Sequence, residues 1–171
     1  MILKYFEEKK IDLNNQKVHL LYGENQGQIN DFIKNVFKKN FKDDVFIYDE
    51  VEVIKNKNLI YEKIQTKSFF EEKKLIIINR SSDKIRNLIE EIIVKNFDDT
   101  NIVLISNILE KKSKLRSLFE KSKDLVCIPF YKDTEQTLIN FVTAFCKDKK
   151  INISRQSINL IIKRSMGNRQ N

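Results

Sequence analysis

The residues with the clearest chemical potential lie in LLYGENQGQIND, positions 20–31. A glycine-rich turn between an apolar strand and an amphipathic helix can cradle phosphates, because successive backbone N–H groups and the helix N-terminus point at the anion. The working form of such a loop is G-x-x-x-x-G-K-[ST]. Here Gly23 and Gly27 enclose three residues (Glu24, Asn25 and Gln26) instead of four, Gln28 stands where the lysine belongs, and Ile29 stands where the magnesium-binding hydroxyl belongs. Glu24 adds negative charge where phosphate would sit. A second test lies after the apolar run Leu75 to Ile78. An acidic pair there would anchor magnesium and orient water, but the chain has Asn79 and Arg80. The expectation is a degenerate phosphate loop (Gly23, Glu24, Gly27, Gln28) with no catalytic residue, no metal site and no cofactor.

Other chemistry is sparse. Cys127 and Cys146 have no CxxC or Cys/His spacing, and His19 is the sole histidine, so a zinc site is not expected. The cysteines read as buried, reduced thiols of a cytoplasmic protein. The N-terminus MILKYFEEKK is charged within a few residues and is not read as a signal peptide. Apolar runs are far shorter than the ~20 residues of a membrane span.

The net charge of +8 invites a nucleic-acid reading, but the excess is almost all lysine, with six arginines, in a chain rich in Lys, Asn and Ile throughout. Lys111 to Lys123 carries six basic side chains and Lys147 to Asn171 carries seven. Of these, Lys111, Lys112, Lys114 and Arg116 could touch DNA phosphates; the competing reading is a solvated helix face with Leu115, Leu118 and Phe119 turned inward.

Short β-branched runs alternate with helical patterns. Val18–Tyr22, Val45–Tyr48, Lys74–Ile78, Ile102–Ser106 and Leu125–Phe130 read as strands buried on both faces of a parallel sheet. Ile29, Phe32, Ile33, Val36 and Phe37 form a helical stripe, as do Ile85, Leu88, Ile89, Ile92 and Ile93 behind the cap residues Ser81 and Ser82. Leu115, Leu118 and Phe119 form a shorter stripe, and Leu59, Ile60 and Ile64 a weaker one. The expected fold is α/β, a five-stranded parallel P-loop-type sheet flanked by helices and joined by right-handed crossovers. Beyond Phe130 only two helices are read, one through Leu138 to Phe145 and one after the cap Ser154. They bury too little surface to stand alone, so a truncated chain is expected.

The ordered set LLYGEN, TKSFFEEKKLIIIN, LISNILEKKSKLRSLFEK and GNRQN resembles the delta subunit of DNA polymerase III. That resemblance implies an AAA+-like domain over 1–132, an incomplete helical lid over 133–171 and an absent collar. It implies no intrinsic activity, although the parent holoenzyme is a DNA polymerase. It implies a non-catalytic clamp-loader subunit that binds and opens the sliding clamp (β) during replication. Its partners would be the other loader subunits (γ/τ, δ′) and primed DNA, with no membrane. Ser68, Phe69 and Phe70 match the family's clamp-binding element, with Phe69 replacing the usual leucine. Asn107 falls at the polar sensor position of active relatives and is read as a turn residue.

The phenylalanines also stand out by themselves: neighbours on a strand face opposite sides, so both cannot point inward. The competing reading is that one or both pad the core. Two rival functions remain: a divergent P-loop NTPase, which nucleotide-dependent thermal stabilisation would reveal, and a stand-alone DNA-binding protein, which tight, salt-sensitive binding by the isolated chain would reveal.

Overall fold

A computed structural model describes residues 1–41, 44–66, 73–95 and 97–165. After a 3₁₀ segment at Tyr5–Lys10 come β1 (Val18–Gly23), α1 (Gln26–Phe32, continuing as a π-helix over Ile33–Lys38), β2 (Val45–Asp49), α2 (Glu50–Lys55), α3 (Asn58–Gln65) and β3 (Lys74–Asn79). Then follow a 3₁₀ turn at Asp83–Ile85, α4 (Arg86–Val94), β4 (Thr100–Ser106), α5 (Lys114–Lys121), β5 (Val126–Phe130), α6 (Glu135–Asp148) and α7 (Arg155–Ser165). The five strands form one parallel sheet in the order β2-β3-β4-β1-β5.

The expected strands are all present. They read as continuous apolar runs because alternate residues enter two different cores. Leu20, Tyr22, Ile76, Ile78, Ile102 and Leu104 pack with α2 to α5 through Val53, Ile60, Leu88, Ile89, Leu115 and Phe119. Leu21, Leu75, Ile77, Val103, Val126 and Ile128 pack against α1 and its π-helical extension through Ile29, Phe32, Ile33 and Phe37. The stripe read from sequence therefore faces inward, although its second half is π-helical. The β1-to-β2 crossover runs toward one edge and the later ones run back. Right-handed crossovers then place α1 on one face and α2 to α5 on the opposite face.

α2 is a departure from the sequence reading. Only Glu50 to Val53 alternates like a strand, after the apolar run Val45 to Tyr48, and the chain turns at Asp49. There the Asp49 N–H donates to Glu52 Oε2 at 2.8 Å and the Asp49 side chain caps the first turn. Of the other expected caps, Ser154 Oγ accepts from Ser157 N at 3.1 Å; Ser82 accepts from Lys84 N and so caps the 3₁₀ turn that leads into α4, whereas Ser81 Oγ donates back to Ile78 O at 2.9 Å and caps no helix. α6 and α7 pack on each other around Leu138, Ile158 and Ile162, a small core separate from the other two. Both cysteines are buried and free, as read. Among the described residues no helix is long and apolar enough to cross a membrane.

His19 is fully buried on β1, edge-to-face with Phe37 at 4.9 Å between ring centroids; its Nε2 lies 3.4 Å from Asn101 Oδ1, and Nδ1 has no partner. Burial lowers its pKa to about 4, and the Lys17 ammonium adds to the effect. The unfolded chain, with an ordinary histidine near 6.5, therefore binds more protons between pH 6.5 and 4. Stability is full above that window and falls through it as pH drops, by up to about 3 kcal/mol. Urea unfolding at pH 7.5 and 4.5 of the chain and of His19→Gln checks this. The variant should lose distinctly less stability on acidification, and an equal loss would remove the histidine from the account.

Candidate functional site

The turn after β1 is built around a close backbone approach. Gly23 has φ +143°, and a Cβ placed there would lie 2.0 Å from the Phe130 carbonyl oxygen on β5. Its N–H donates to Asn107 O at 3.2 Å, so Asn107, exposed after β4, serves the turn through its backbone. Asn25 caps α1 by accepting from Gln28 N at 3.1 Å and donates through Nδ2 to Asp133 Oδ2 at 2.5 Å. Gln26 Nε2 donates to Gly23 O at 2.9 Å and to Ser106 O at 3.3 Å. The loop is thus tied internally to β1, β4 and the chain after β5. Glu24 is exposed, Gly27 is buried, and Gln28 is buried with Nε2 unbonded. An amide at that place offers no cation to a phosphate.

At the end of β3 the sign of charge is reversed from that of a magnesium site. Arg80 adopts φ +54° and its guanidinium donates to the Asp49 carboxylate. The buried Glu50 carboxylate accepts from Ser82 N at 2.6 Å and from Ser82 Oγ at 2.9 and 2.8 Å. Both nearby carboxylates are engaged in holding the turn. Among the described residues no cluster of His, Cys, Asp or Glu could hold a metal ion.

A second feature is basic. Arg86 of α4, Lys111 and Lys112 of the preceding turn, and Lys114 and Lys121 of α5 line a cleft of about 520 Å³. Arg86 pairs with Glu90 at 2.8 Å and Lys112 with Glu110 at 2.9 Å. Asp83 joins the two walls: its Oδ1 accepts from Ser113 Oγ at 2.6 Å and from Leu115 N at 2.9 Å. Those bonds, led by the Ser113 hydroxyl, hold its carboxyl below the usual range. Of the four basic residues singled out in sequence, three reach the cleft. Arg116 is turned away from it, bonding Glu120 at 2.8 Å and Leu109 O at 3.0 Å, with its guanidinium 5.2 Å from the Tyr22 ring centroid. Arg86 and Lys121 were missed; the seven-residue spacing of Lys114 and Lys121 on one helix was the available signal.

Ser68, Phe69 and Phe70 lie outside the described residues, but the flanks of their segment are defined. Lys74, at the start of β3, is buried, and its ammonium donates to Thr66 O and, at 3.3 Å, to Lys63 O at the C-terminal end of α3. Thr66 Oγ1 also closes on Glu62 O at 2.6 Å. A cation on the last carbonyls of a helix is a favourable cap. Here it also clamps the end of α3 to the beginning of β3.

The strand order, the two-faced core and a phosphate-loop turn without its lysine, hydroxyl or acidic partner define a P-loop-type α/β module of AAA+-like fold. The family model described as DNA polymerase III, delta subunit, matches residues 19–129. The chain belongs to this family. A solved structure of the Bacillus subtilis DNA clamp loader delta protein superposes with TM-score 0.62 at 14% identity, over 92% of this chain and 51% of that one. The chain therefore spans about half the length of that structure. Domain III of the Thermotoga maritima replication initiation protein DnaA matches with TM-score 0.54 at 12% identity, over 97% of this chain and 77% of that one. At such identities the likeness is one of fold. No curated protein sequence matches the chain.

Proposed function

We propose that this chain is a non-catalytic clamp-loader subunit that binds the sliding clamp through Ser68, Phe69 and Phe70 and favours the open ring. The observation that carries the reading is family membership. The clamping of α3 to β3 by Lys74 supports it, because a short segment with both ends fixed can offer apolar side chains to a partner at reduced entropic cost. In this reading residues 1–132 form the clamp-binding module and 133–171 part of a lid. The other loader subunits (γ/τ, δ′) are neighbours, and the cytoplasm is the site of action. A binder shifts a ring between closed and open only by its differential affinity for the two forms, so no hydrolysis by this subunit is required. Titrating the chain onto immobilised sliding clamp tests the proposal: saturable binding is expected, and its absence at tens of micromolar would sink it.

The basic cleft favours a second contact, with the phosphates of primed DNA. Lys111, Lys114 and Lys121 enter no ion pair among the described residues. If three such cations each displace one counterion, their joint replacement by alanine should lower the salt-dependence slope by about 3 in a duplex-binding anisotropy titration. An unchanged slope would leave the cleft a solvated helix face.

A further inference from the structure

The loop after β1 and the segment that leads into α6 meet through side chains. Asn25 donates its N–H to Phe130 O at 3.3 Å, accepts at Oδ1 from Gln28 N at 3.1 Å and donates through Nδ2 to Asp133 Oδ2 at 2.5 Å. A backbone N–H on one amide atom makes that atom the oxygen, so the nitrogen must face the carboxylate. The other oxygen of Asp133 accepts from Thr137 Oγ1 at 2.8 Å in the first turn of α6, where Thr134 Oγ1 accepts from Thr137 N at 3.2 Å as the cap. One carboxylate therefore bridges the loop and the helix. The loop end of this bridge is firm, because Gln26 Nε2 and the Gly23 N–H tie it to the ends of β1 and β4. Apolar packing supplies no comparable tie: among the described residues, the core shared by α6 and α7 includes no member of the two cores that pack on the sheet. Only Tyr131 to Thr134 lie between β5 and α6.

We propose that the loop in the phosphate-loop position serves as the seat of the α6–α7 pair, with Asn25 and Asp133 latching the pair to the sheet in one orientation without any nucleotide. A hydrogen bond to a carboxylate is stronger than one between neutral groups and is directional. That suits it to fixing the angle between two bodies that share no apolar core. The loop, which departs from a phosphate-binding motif at Gln28 and Ile29, thereby has a use that needs no phosphate. The sheet and the helix pair move as one body while the latch is closed, and reorient separately once it is opened.

The test measures amide residual dipolar couplings of the isotope-labelled, nucleotide-free 171-residue chain in a strained polyacrylamide gel. One alignment tensor is expected to fit the amides of the five strands and those of α6 and α7 together. Asn25→Asp keeps an oxygen to cap α1 but removes the donor and sets a second carboxylate against Asp133. In that variant the tensor fitted to α6 and α7 should shrink to about half or less of the sheet's, as for parts that reorient independently. Asn25→Ser, which keeps a capping oxygen without added charge, should act in the same direction. Adding Asp133→Asn to Asn25→Asp exchanges donor and acceptor. The amide oxygen can still accept from Thr137 Oγ1 while its nitrogen donates to the new carboxylate, so the common tensor should return. Circular dichroism and an unchanged sheet tensor verify that the variants fold. Separate tensors in the parent chain, a common tensor retained in Asn25→Asp, or no recovery in the double variant would each overturn the proposal. None of these outcomes depends on whether Phe69 and Phe70 contact the clamp.

Discussion

Replacing Phe69 and Phe70 together by alanine is expected to abolish clamp binding while leaving the fold intact. Each phenylalanine buried at an interface contributes roughly 1.5–3 kcal/mol. Losing both removes about 3–6 kcal/mol, or roughly a hundred- to ten-thousandfold in affinity. Few contacts of this size occur in any interface, and they concentrate in aromatic anchors. In the proposed role the two side chains serve a partner and not the chain's own core, so the fold should survive their loss. Surface plasmon resonance on immobilised clamp and thermal unfolding of the same samples separate the two effects. Retained binding would remove the segment from the proposed interface. Lost binding with a Tm lowered by more than a few degrees would instead make the phenylalanines core residues of the chain itself, the competing reading of the sequence.

Gly23→Ala is expected to destabilise the protein by about 3 kcal/mol or more. The left-handed backbone there disfavours any side chain by about 1–3 kcal/mol, and forcing atoms into a packed site adds a similar amount. The clash is severe because the obstacle at 2.0 Å is the Phe130 backbone, which is fixed by its place in β5 beside β1. Against a total stability of about ten kcal/mol for such a domain, the urea midpoint should fall by a large fraction. Glu24→Ala, one residue away and exposed, should shift it by no more than about 0.5 kcal/mol. Equal effects at the two positions would remove the steric account. The comparison also bears on why a glycine stands in a loop that lacks phosphate-binding groups: it admits the neighbouring strand, whatever the loop binds.

Much of this molecule is legible in its sequence because the relevant physics is local. Strands buried on both faces must be apolar at consecutive positions, so β1, β3, β4 and β5 announce themselves. The stripes of α1 and α4 follow from helical periodicity. The departures from a phosphate-binding motif are equally local, since Gln28, Ile29, Asn79 and Arg80 stand at fixed offsets from a strand end where a lysine, a hydroxyl and an acidic pair would belong. α2 escaped because it is only six residues long and Glu50 to Val53 alternates as a strand would, although Asp49 and Glu52 were a readable cap.

Tertiary structure decided what depends on segments distant in sequence. Strand order brought Phe130 against Gly23 and so made that glycine sterically obligatory. Asp83 brought α4 and α5 together, gathering Arg86 with Lys114 and Lys121, while Tyr22 and Glu120 drew Arg116 aside. That α1 packs on one face while α2 to α5 share the other was hidden for the same reason. Periodicity states which side of a strand is apolar, but only the path of the crossovers determines whether a helix lies over it.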